Sequence, residues 1–190
     1  MQINDWWGLV EQARSVVGDR ADDRNLPDDP LPGALTGILA SLEPAEIIDF
    51  YLKAIEVTDS AYRRPLWKAA YLVEGGCGDD GFMDFRDGLI LLGRETFTRA
   101  VARPDSLAEL PVVVRMSRDE DGWIGFESLS YLIKQAYRES QGETGSFDTA
   151  VDAALRATVR PEEPTGADWD SEDDDEMRRH LPRLAALFLD

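Results

Sequence analysis

A chain of 190 residues, 43% hydrophobic and with five Trp, seven Phe and five Tyr, carries enough apolar material for one cored domain. Its 38 acids against 20 bases give a formal net charge of -18, which argues against nucleic acid or an anionic membrane as a ligand and leaves a basic protein partner, cations or solubility as its use. One cysteine rules out an internal disulfide, no apolar run reaches the roughly 18 residues of a membrane span, and Met1–Trp7 has no basic n-region or h-region, so the expected location is cytoplasmic.

Trp6, Val10, Ala13 and Val17 recur at one helical period, predicting a helix over Ile3–Val17 with Asn4 or Asp5 as N-cap and Gly18 as stop. Asp19 to Pro32 reads as a polar, proline-rich loop, followed by a short helix near Ala34–Leu42. Glu43-Pro44 opens the next helix, with Ile47, Tyr51 and Ala54 beside Ile48, Leu52 and Ile55 as its apolar face. Asp59 or Ser60 is expected to cap a helix carrying Leu66, Ala70 and Val73, ended by Gly75-Gly76. Phe82, Phe85, Leu89 and Leu92 continue at helical spacing through Phe97 and Val101, with Gly93 as kink or divider. Asp105 is a candidate turn cap ahead of Leu110–Val114, the one run with strand character. Helices follow at Phe126–Tyr137 and Phe147–Leu155, then a loop over 160–170 and a closing amphipathic helix through Leu181, Leu184, Leu187 and Phe188. The expected fold is all-α, an irregular multi-helix bundle with at most one short strand or hairpin. The expected organisation is a helical domain over 1–160, an acidic loop over 161–176 and a C-terminal helix over 177–190 packed on the same domain.

Gly75–Arg86 concentrates the chemistry: four glycines, three aspartates, the only cysteine and an arginine in twelve residues. A functional reading makes it a ligand turn, with Cys77, Asp79, Asp80, Asp84 and Arg86 joined by Trp67, by Arg94 and by Arg63 or Arg64. The aspartates disfavour a phosphate and suit a cation, and Asp80, Asp84 and Asp87 fall at i, i+4 and i+7. The spacing is not an EF-hand loop, and neither a cofactor nor a metal is expected. The structural reading has a left-handed glycine ending one helix and Asp79 or Asp80 capping the next, with Arg86 paired to an acid of a neighbouring helix. Cys77 with His180, the single histidine, forms a dyad only if the fold brings them together. Trp6-Trp7 cannot share one helix face; both are expected in the core or at its edge.

The order of these features resembles the bacterial domain-of-unknown-function family 4240. The resemblance is carried by the Trp-rich first helix, Glu46-Ile47-Ile48-Asp49-Phe50, Ala61-Tyr62, Leu66-Trp67-Lys68-Ala69-Ala70, Gly75–Phe82 with Asp84-Phe85-Arg86, Leu89–Arg94, Pro104–Ala108 and Leu181–Leu184. It implies a small, largely helical bacterial domain, elsewhere sometimes fused to a Trp-Gly-Arg-type domain that this chain is expected to lack. It implies no reaction, since that family has no agreed activity. Gly78 departs from the small polar residue, such as Ser, expected there.

Glu162–Glu176 holds nine acids and no Lys or Arg, half the net charge. It reads as a solvated linker, or as a lure for a basic surface. Two functions follow: a protein-interaction or regulatory domain, in one form an immunity-type protein against a basic toxin, or a ligand- or metal-binding enzyme sited at Gly75–Arg86.

Overall fold

The computed structural model describes residues 1–23, 29–127 and 129–189, and these form helices joined by turns with no strand among them. In chain order the α-helices are α1 (Ile3–Val17), α2 (Leu31–Ala40), α3 (Pro44–Ser60), α4 (Arg64–Val73), α5 (Asp79–Leu91), α6 (Arg94–Ala102), α7 (Pro111–Met116), α8 (Leu129–Gln141), α9 (Gly145–Arg156), α10 (Asp174–His180) and α11 (Pro182–Phe188), with 3-10 turns at Gly18–Asp22 and Pro104–Glu109. The all-α irregular bundle is the observed fold. Among the described residues the nearest approach to a strand is a parallel bridge between Arg63 and Thr165. No helix of the described residues is long and apolar enough to cross a membrane.

In α1, Trp6, Val10 and Ala13 are buried as the period predicts, and so is Trp7. Both indoles are accommodated because α1 is covered on two sides: Trp6 stacks on Phe50 of α3 and donates Nε1–H to its carbonyl at 2.9 Å, while Trp7 meets Phe97 of α6. Gln2, not Asn4 or Asp5, occupies the N-cap, and Gly18 ends the helix at φ 67°. The expected loop from Asp19 to Pro32 begins as a 3-10 turn; residues 24–28 of it lie outside the described residues, and α2 already starts at Leu31.

Glu43 and Glu46 form a reciprocal capping box around Pro44 at the start of α3. The buried face of α3 is Ile47, Phe50, Ala54, Val57 and Thr58, rotated from the predicted one, so that Ile48, Tyr51, Leu52 and Ile55 are half-buried flanks. α3 runs on through Asp59 and Ser60, so neither caps α4, whose N-cap is Arg63. Gly93, at φ 89°, divides α5 from α6.

Leu110–Val114 is not strand-like. Leu110 is the N-cap and Pro111 the first residue of α7, which buries Val112 and Val113. Asp105 caps no turn of its own; its carboxylate accepts the N–H groups of Arg183 and Leu184 at the start of α11, 3.0 and 2.9 Å away. The closing helix is two: Asp173 caps α10 through the N–H groups of Asp175 and Glu176, so the last acids of the 161–176 segment are helical, and Leu181-Pro182 separates α10 from α11. Met177, Leu181, Leu184 and Ala185 complete the core against α4 and the 104–109 turn.

Candidate functional site

The glycine cluster is a helix stop followed by a helix start. Gly75, at φ 66°, is the left-handed residue after the Glu74 C-cap, and Gly76 N–H bonds back to the Tyr71 carbonyl at 2.8 Å, a Schellman closure of α4. Gly78 is the N-cap of α5 and offers no side chain, so Asp79 and Asp80 cap nothing: they are exposed first-turn residues, favoured there by the helix dipole.

Trp67 fixes the turn from below. Its ring lies on Phe82 at 4.9 Å and 9°, and its Nε1–H donates to the Cys77 carbonyl at 2.8 Å. Burial, with Glu74 and Asp84 adding to it and Arg86 opposing, pushes the Cys77 thiol up to about 11, so it stays protonated at neutral pH and is no nucleophile at rest. Glu74 has Oε1 buried without a hydrogen bond among the described residues, and burial lifts its carboxyl to about 7. His180 is engaged elsewhere, stacked on Trp169 at 4.3 Å and 3.4 Å from Glu176.

Trp67 and Cys77 line a cleft of about 290 Å³ with Tyr71, Arg64, Lys68 and Asp168. The acidic segment forms its far wall. Thr165 N–H donates to the Tyr62 carbonyl and Arg64 N–H to that of Thr165, at 3.1 and 2.8 Å. Arg64 pairs with Glu163 and Asp168, and Lys68 with Asp168. Arg63 instead reaches the Val101 carbonyl at 3.3 Å.

Arg86 lies apart from this cleft. It is 8% exposed, with its guanidinium over the Tyr62 and Phe82 rings, and it forms no ion pair with an acid of the described residues. Instead Nε donates to the Phe82 carbonyl at 3.2 Å and Nη1 to that of Thr58 at 3.1 Å. Arg86 lines a second cleft, of about 230 Å³, with Thr58, Asp87, Tyr51 and Glu127, none of which borders the first. Asp80 lines neither, and Arg94 sits beyond the far end of α5, its N–H donating to Glu11.

The Asp80, Asp84, Asp87 series does not make a cation site. Among the described residues no group of three His, Cys, Asp or Glu is arranged to hold a metal ion. Asp87 turns inward and accepts the Thr58 hydroxyl at 2.9 Å. Asp84 is half-buried, its carboxyl raised by burial and then by Glu127 and Asp80.

Thr58 and Asp87 are residues that sequence patterning passes over, although a signal exists: Thr58 follows Val57 on the buried face of α3, and Asp87 sits between the buried Arg86 and Gly88. The roof of their cleft depends on Gly88, where an added Cβ would meet the Ile124 carbonyl oxygen at 1.8 Å. That close approach lets Phe126 N–H reach the Asp84 carbonyl at 2.9 Å and fixes the loop carrying Glu127.

No curated protein and no solved structure matches the chain. The family of proteins of unknown function DUF4240 matches residues 1–139, from α1 into α8 and including both clefts' helical walls up to that point. The chain therefore belongs to the DUF4240 family.

Proposed function

We propose that this chain is a non-catalytic, cytoplasmic bacterial interaction domain that binds a basic protein surface, not nucleic acid, through the acidic flank around the Trp67–Cys77 cleft. The observation that carries this reading is the strapping of the 162–170 segment beside the Gly75–Gly81 turn. The strap uses Glu163 and Asp168 for its own attachment to Arg64 and Lys68. It leaves Glu162, Asp170 and Glu172 exposed, as Asp79 and Asp80 of the turn are, with no ion pair to the described residues. An aromatic floor within an acidic rim suits a long cationic side chain, whose stem packs on Trp67 while its head meets carboxylates.

Such a partner associates quickly at low salt and more slowly as screening grows. The test is affinity capture by the full chain at low and at high salt, beside a variant with Asp79→Asn, Asp80→Asn, Glu162→Gln and Glu172→Gln. The expected outcome is one basic protein retained at low salt and lost both at high salt and on the variant. Capture that is indifferent to salt and to these four charges overturns the reading.

A further inference from the structure

The second cleft holds a buried guanidinium and a half-buried carboxylate that make no direct ion pair with one another. Arg86 and Asp87 are consecutive on α5, yet each turns to Thr58: Arg86 donates to its carbonyl, and Asp87 accepts from its hydroxyl. One threonine of α3 thus holds a guanidinium and a carboxylate side by side. Arg86 Nη2 and Asp87 Oδ2 make no bond to the described residues. Neither atom is fully buried, so each keeps a hydrogen-bonding capacity that an occupant of the cleft can take up. Beside the polar Tyr51, Glu127, Ser130 and Arg160, the wall carries an apolar side made of Ile133 of α8, Leu155 of α9 and the half-exposed Met83 at the rim. At about 230 Å³ the cleft is smaller than the roughly 300–1,000 Å³ of drug-sized sites and is of metabolite dimensions.

We propose that this cleft binds a free α-amino acid with an apolar side chain, its ammonium on Asp87 and Glu127, its carboxylate on Arg86 Nη2, and its side chain against Met83, Ile133 and Leu155. A zwitterion offers an opposite charge to each of the two groups at once, which neither an amine nor a fatty acid does. Arg160, the other guanidinium at the cleft, is held by Asp59 through two bonds of 2.8 and 2.7 Å and does not compete for the carboxylate. Glu127 brings a second carboxylate to the ammonium end.

The groups around Asp87 set the pH dependence. Burial raises its carboxyl to about 6; the Thr58 hydroxyl and Arg86 pull it down, and Asp84 pushes it up. Tyr51 and Asp59 of α3, Glu127 ahead of α8 and Arg160 beyond α9 complete the charged and titratable surroundings, while Lys134 and Asp148 pair with each other and act on Tyr51. The ammonium needs the ionised form of Asp87, so affinity rises with pH through 6.

Isothermal titration of the full chain at neutral pH with L-leucine and L-methionine tests this, beside isopentylamine and 4-methylpentanoate, which are leucine without its carboxylate and without its amine. The amino acids are expected to bind and each truncated analogue to bind at least about tenfold more weakly, a difference of about 1.4 kcal/mol. Affinity should fall about tenfold between pH 7 and pH 5 as Asp87 takes up its proton. Asp87→Asn should weaken binding at least about tenfold while the apo protein stays folded. Met83→Trp, which fills the mouth from an exposed position, should block binding without loss of helicity. No heat from either amino acid, or equal binding of an amine or acid analogue, overturns the proposal, as does undiminished binding to both variants. The acidic flank takes no part in this, so neither result bears on the interaction reading.

Discussion

The cleft beside Cys77 keeps its ions paired near the surface, Arg64 with Glu163 and Asp168 and Lys68 with Asp168, whereas the cleft beside Thr58 holds a buried Arg86 and a half-buried Asp87 without a direct ion pair between them. Exposed pairs of the first kind contribute about 0–1 kcal/mol each. In the second, partial burial works against the ionised form of Asp87 and raises its carboxyl to about 6. The dense glycine and aspartate motif leads to the first cleft, and its conspicuous residues resolve into a helix stop and a helix start. The second cleft is built from an ordinary Thr and an Asp within helices. Unusual composition here reports backbone geometry, while an ordinary Thr and Asp place a guanidinium and a carboxylate on one cleft wall.

The largest way to break the contrast is Gly88→Ala. Its Cβ would fall 1.8 Å from the Ile124 carbonyl oxygen, backbone against backbone, so a loss of about 3 kcal/mol is expected in urea unfolding, along with loss of the Glu127 wall. Gly81→Ala is the matched control: its Cβ would meet Cys77 Sγ at an ordinary 3.5 Å, so a helix-propensity gain of up to about 1 kcal/mol is expected instead.

Asp87→Asn comes next. The folded carboxyl, raised to about 6 from 3.8, holds a proton that the unfolded chain releases between those values. Its contribution favours folding below pH 4 and is lost as pH rises through 6. The amide, which still accepts from Thr58, should therefore stabilise the apo protein by about 1–3 kcal/mol at pH 8 and leave it unchanged near pH 4. Denaturant midpoints at both pH values check this. A destabilised amide variant at pH 8 would mean that Asp87 is already paired.

The smallest effects belong to the glycine turn. Gly75→Ala, forced to φ 66°, should cost about 1 kcal/mol. Gly78→Ser adds a hydroxyl acceptor to an N-cap that has none and should gain a few tenths of a kcal/mol, about the Gly-to-Ser difference at such sites. Thermal midpoints measured with and without a bound partner show whether the turn is architecture alone.

Long amphipathic periods were readable in the residues: α1 has the predicted bounds, and the Glu43-Pro44 start and the Gly93 break lie where local chemistry puts them. Reading by local rule failed where a distant partner decides. Val112-Val113-Val114 is β-branched, but Pro111 at the first helical position and burial of two of the three valines make it α7. Asp105 looks like a local cap and caps a helix 78 residues away. The α3 face came out rotated because Ile48, Leu52 and Ile55 are as apolar as Phe50 and Val57, and only the packing partners choose between them. The same limit hid the Thr58 cleft: nothing local to α3 or α5 says that Thr58 and Arg86-Asp87 face one another across 28 residues.

The stapling of α11 by Asp105 bears on how the molecule is made. Leu184 packs in the core, and its N–H is tied to a turn some eighty residues upstream. A nascent chain from which α11 has not yet emerged leaves the apolar wall of α4 and the 104–109 turn uncovered. Closure of this core therefore comes late in synthesis, after α1–α8 are already available to fold, and the interval before it is when the protein is most open to aggregation or to chaperone capture.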